Sequence, residues 1–100
     1  MNKIKKNKKA IDFQKYLAQR LKNAKFKEYY DEYGKQLEIG YQILQLRKQK
    51  RISQLELAKK LKTQQSNIAR IEAGKENVSV NTLEKIAHAL NCPFKISFGR

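Results

Sequence analysis

Apolar residues recur at helical spacing through most of the chain and at strand spacing only at its end. Phe13, Leu17 and Leu21 fall four apart, and Phe26, Tyr29, Tyr30 and Tyr33 form an aromatic cluster after Asn23-Ala24. This spacing predicts one or two helices before residue 36. Gly34 and Gly40 are candidate breaks on the way into the next element. From Gln36 to Lys50 the apolar positions are Leu37, Tyr41 and Leu44, widened by Ile39, Ile43 and Leu46, which predicts a helix with a broad buried face. The clearest start signal follows. Ser53 stands as N-cap, Glu56 three residues later closes a capping box, and Ile52 and Leu57 occupy hydrophobic-staple positions, predicting a helix from Gln54 to about Leu61.

A further helix must begin almost at once, because Ile68 and Ile71 are again helically spaced and Gly74 suits a left-handed C-terminal cap. Its start falls on Thr63 or Gln64, so only about three residues join the two helices, and a pair so tightly connected has the helix-turn-helix pattern. Ser79 then caps a helix with the face Val80, Leu83, Ile86, Ala87 and Leu90, ended by Asn91, Cys92 and Pro93. Phe94-Lys95-Ile96-Ser97-Phe98 alternates apolar and polar residues and predicts a short strand.

On the second helix of the tight pair, Gln65, Ser66, Ala69 and Arg70 face away from Ile68 and Ile71. Gln donates and accepts at once at an adenine edge, and Arg forks onto guanine O6 and N7. Ser suits either base, and Ala permits close approach to a thymine methyl. The same four would serve as ordinary solvent positions of a helix. Their place on the second helix, the one that enters the major groove in this motif, favours base reading.

The run Arg47, Ser53-Gln54, Leu57-Ala58, Leu61, Ser66, Ile68, Arg70-Ile71-Glu72, Gly74, Thr82-Leu83 and Ile86-Ala87 resembles the phage Cro/CI-type (XRE family) helix-turn-helix proteins, over about half of the chain. The resemblance implies an all-α fold: a five-helix Cro/repressor-like domain with an N-terminal helical extension and a short C-terminal strand. It implies sequence-specific binding of double-stranded DNA, with Gln65, Ser66 and Arg70 on bases and Gln54 and Asn77 on the sugar-phosphate backbone. Gln64, Asn67 and Lys75 complete the expected backbone set. It also implies an ion pair between Arg47 and Glu72 that ties the first core helix to the reading helix and orients it. Gln64 stands where the family usually has Ser or Thr, and Val78 where proline is common.

Charge supports a polyanionic partner. The 100 residues carry 23 Lys+Arg against 9 Asp+Glu, a formal +14. The excess is spread over a basic N-terminal arm (1–35, 11 basic and 4 acidic), the helix-turn-helix domain (36–91, 10 and 5) and the C-terminal segment (92–100, two basic residues). The first nine residues, almost all Lys, Asn and Ile, are too polar to order by burial. A lone cysteine, Cys92, excludes an internal disulfide and a thiolate zinc site, and fits a reducing cytoplasm. No cofactor or metal is expected. No secretory or membrane-spanning stretch is visible. The single histidine, His88, has no companion ligand or nucleophile, which speaks against an enzyme. A membrane-surface peptide would need a cationic face opposite Trp or Phe, and none is present.

The layout of Leu21 to Tyr33 ahead of the domain, with the closing segment, is similar to antitoxins of type II toxin-antitoxin modules. That likeness implies an autoregulating repressor and a RelE/HigB-type toxin as partner, with Phe26, Tyr29, Tyr30 and Tyr33 as the toxin contact. Packing of those aromatics on the protein's own core is the competing expectation, and the basic arm would repel a basic toxin. A strand through Phe94, Ile96 and Phe98 lacks a partner in the chain, so it predicts an isologous homodimer and a palindromic operator. The alternative is a protein-interaction module whose DNA binding is secondary.

Overall fold

The computed structural model describes residues 13–99. The basic run at the start of the chain lies outside them. The described residues form five helices and no strand. Helix α1 covers residues 13–20, and a short turn leads to α2, Ala24–Gln49. Then come α3 (Gln54–Lys60), α4 (Gln65–Glu72) and α5 (Val80–Ala89).

Local chemistry sets most of the boundaries. The Asn23 side chain caps α2, accepting from the Lys25 and Phe26 amides. Ser53 and Glu56 close a full capping box on α3, and Ser79 caps α5 through the Thr82 amide. Four helices end alike. Arg51, Lys62, Gly74 and Asn91 adopt positive φ of 58°, 57°, 75° and 54°. The next amide then returns to a carbonyl five residues back, as in Thr63 to Ala58 at 2.9 Å and Lys75 to Arg70 at 2.9 Å.

Several expectations are corrected. Gly40 does not break the path and lies inside α2, and the break expected at Gly34 is off by one residue: α2 runs from the aromatic cluster into the core helix across a kink. The bend falls instead on Tyr33, whose φ of −119° and ψ of 26° are non-helical. Thr63 does not cap α4. Gln64 holds the N-cap position without a side-chain bond, while the Thr63 hydroxyl accepts from Asn67 at 3.2 Å. The strand expected through Phe94, Ile96 and Phe98 does not form: among the described residues nothing extended lies beside it, and alternation without a ladder partner leaves an irregular tail. Phe98 is 91% exposed.

Ile43, Leu57, Ala58, Ile68, Ile71, Ile86 and Leu90 make the core, so α2, α3, α4 and α5 each supply part of it. Helix α1 folds back on α2. The rings of Phe13 and Tyr16 pack on Tyr41 at 5.1 and 4.9 Å, and the Arg20 guanidinium stacks on Tyr16 at 4.7 Å.

Two close approaches fix α2 against the end of α4. A β-carbon at Gly40 would collide with the Ile71 carbonyl oxygen and come within 2.7 Å of that of Glu72, so only glycine lets the backbones meet. At Gly74 a β-carbon would lie 2.7 Å from Leu37, and the positive φ favours glycine independently.

Candidate nucleic-acid interface

Helices α3 and α4 form the tight pair. The turn through Lys62, Thr63 and Gln64 is set by the left-handed Lys62 and the Thr63 return bond. Ile68 and Ile71 are buried on α4, which leaves Gln65, Ser66 and Arg70 exposed on the opposite side and Ala69 half-buried. Gln64, Lys75 and Asn77 are also exposed, and Gln54 and Asn67 are half-buried.

A polar network anchors this surface from below. Arg47 donates from Nε and Nη2 to the two Glu72 carboxylate oxygens at 2.6 and 3.0 Å, and its Nη1 binds the Ile52 carbonyl at 2.9 Å. The Arg47 and Glu72 side chains are only 11% and 4% exposed, so the pair is a fixed fork rather than a surface contact. Gln54 donates to the same carboxylate at 2.9 Å, and Gln65 reaches Gln54 Oε1 at 3.5 Å. Gln54, Gln65, Arg47 and Glu72 thus form one chain of contacts from the core to the surface. Asn77 stands apart, lining a shallow groove with Tyr30, Tyr33, Gln36 and Glu38.

Three contacts had no clear signal in the sequence. Arg70 Nε donates to Glu76 Oε1 at 2.9 Å, a pairing across the Gly74 turn that no helical spacing rule anticipates. The Tyr29 hydroxyl and, at 3.4 Å, the Gln36 amide both donate to the Gly74 carbonyl. Burial, followed by the neighbouring Tyr33, pushes the Tyr29 phenol above its ordinary value. Gly40 is the third. A glycine within an otherwise apolar helical stripe was the available hint of a close approach.

Phe26, Tyr29 and Tyr30 are half-buried, with Phe26 under Arg20 at 5.9 Å, while Tyr33 packs on Tyr29 at 4.7 Å and is 40% exposed. His88 lies exposed on α5. No group of metal-ligating side chains occurs among the described residues, and none of the helices there is long and apolar enough to cross a membrane.

The sequence pattern of the helix-turn-helix family matches residues 43–96, more than half of the chain, and the protein belongs to that family of DNA-binding regulators. Comparison with curated proteins gives no match.

Proposed function

We propose that the protein is a sequence-specific repressor that reads double-stranded DNA with α4. Gln65, Ser66, Ala69 and Arg70 meet base edges, and Gln54, Gln64, Asn67, Lys75 and Asn77 meet the backbone. One observation carries this reading: the exposed face of α4 presents the Gln65 amide and Ser66 hydroxyl at a helix start whose N–H groups have no side-chain cap, and the Arg70 guanidinium in the last turn, in a protein of charge +14. Free N–H groups and a positive helix end suit phosphate, and the side chains suit base edges. The protein acts as a homodimer on a palindromic operator near its own gene in the cytoplasm. The exposed apolar tail residues Phe94, Ile96 and Phe98 support self-association without a strand.

The test is selection of duplexes from a random-sequence library, followed by fluorescence anisotropy on the enriched and a shuffled duplex at about 0.15 M salt. An enriched palindrome bound at two chains per duplex is the expected result. Arg70→Ala should weaken the enriched duplex by about 2 kcal/mol and relax preference at one base pair, with little change on shuffled DNA. Equal losses on both would exclude Arg70 as a base reader.

A second reading, that the protein is also the antitoxin of a RelE/HigB-type toxin, is favoured by the groove beside the kink. Tyr30 and Tyr33 there share the lining with Lys35, Asp31, Glu32 and Glu38; Asp31 and Glu38 pair with Lys27 and Lys35, and Glu32 is the carboxylate left to suit a basic partner. Co-purification with a basic ribonuclease encoded next to the gene, lost on Tyr33→Ala with Glu32→Lys, tests it.

A further inference from the structure

We propose that Glu76 is a specificity-determining positioning residue, which holds the Arg70 guanidinium as a fork for guanine and keeps it from grasping phosphates; the inference rests on the reading of α4 as the base-reading helix. Between Thr63 and Ser79 there are two carboxylates. Glu72 is buried in the Arg47 fork, so Glu76 is the one that reaches this surface. A negative charge among groups that meet phosphate opposes binding to any DNA. As a stabilising ion pair it would contribute little, because the Arg70 and Glu76 side chains are 55% and 37% exposed. Its geometry suggests a different use. Gly74 reverses the chain, and Lys75 N–H closes onto the Arg70 carbonyl at 2.9 Å, which brings Glu76 back beside Arg70.

The carboxylate takes Arg70 Nε, and no other side chain or carbonyl among the described residues bonds the two Nη groups. Those two nitrogens are the ones that can address guanine O6 and N7 end-on. Binding the right base pair therefore keeps the Glu76 contact. Turning the guanidinium off this line toward a flanking phosphate would break it and leave the carboxylate unpaired beside the polyanion. Glu76 thus favours the base over the backbone without touching DNA itself.

The test compares wild type, Glu76→Gln, Arg70→Ala and the double variant by anisotropy on the enriched duplex and on a random-sequence mixture, over a salt series. Urea unfolding of each variant serves as the folding control. Glu76→Gln should bind the random mixture about fivefold tighter, with a salt slope steeper by about one phosphate, and should lose about tenfold in discrimination. In the Arg70→Ala background the same change should move both duplexes by one common factor. An unchanged ratio of affinities in Glu76→Gln, or a loss of discrimination that persists without Arg70, overturns the proposal while leaving α4 as the reading helix. Wild-type protein that enriches no sequence overturns both.

Discussion

The two ends of α4 are built on opposite terms. At the C-terminal end the protein holds the backbone and Glu72 itself: Gly40 of α2 lies against the last carbonyls, Arg47 and Gln54 grip Glu72, and Tyr29 and Gln36 hold the Gly74 carbonyl. At the N-terminal end Gln64 leaves the first amides without a side-chain partner, and Gln65 and Ser66 stand in solvent. One end is fixed by the protein, and the other is open to solvent. The difference teaches that this helix is oriented from its C-terminal end, which leaves the side chains at its N-terminal end free to face solvent.

The comparison breaks most severely at Glu72. Glu72→Ala strands the nearly buried Arg47 guanidinium and should cost about 4 kcal/mol by urea unfolding. A double variant, Arg47→Met with Glu72→Leu, should recover most of that stability but not DNA discrimination, if the pair orients more than it stabilises. Gly40→Ala drives a methyl into two backbone carbonyls that cannot yield, and should cost about 2 kcal/mol with a matching fall in urea midpoint. At the open end the sign reverses. Gln64→Ser supplies the missing cap and should stabilise by about 1 kcal/mol, with weaker DNA binding if the amides it occupies serve phosphate.

The smallest effect is at Glu56, on the side of α3 away from this contrast. Its hydrogen bonds to the Ser53 amide and hydroxyl lower its pKa below the ordinary glutamate value of 4.5. The unfolded pKa is then the higher one, so the contribution is full above about 4.5 and is lost as pH falls through the lower folded value. The Tm gap between wild type and Glu56→Gln should therefore shrink on acidification below that value, and a gap independent of pH would show that the carboxylate charge has no part in the box.

The helix starts at Ser53 and Ser79 are legible because a cap is a local affair, in which a side chain meets an amide three residues on. The exposed face of α4 was legible for a similar reason, since Ile68 and Ile71 fix which side is buried. In the sequence Gly40 is a possible break, because the meaning of a glycine depends on what packs against it, here the end of a helix distant in sequence. The Phe94 to Phe98 alternation misled in the same way: a strand is defined by its neighbour, and spacing along one chain says nothing of it. Glu76 escaped because its partner lies across a turn, beyond the spacings that helices make predictable.

The grip of α2 on α4 also makes that helix a ruler. Gly40 and Arg47 sit about two turns apart on one face, so both contacts are met only at a fixed count of residues between them. Side chains on the outer face of this stretch can drift freely under substitution. A single inserted residue would rotate everything beyond it by about 100° and leave either the glycine or the arginine facing the wrong way. Length, more than composition, is what this segment must preserve.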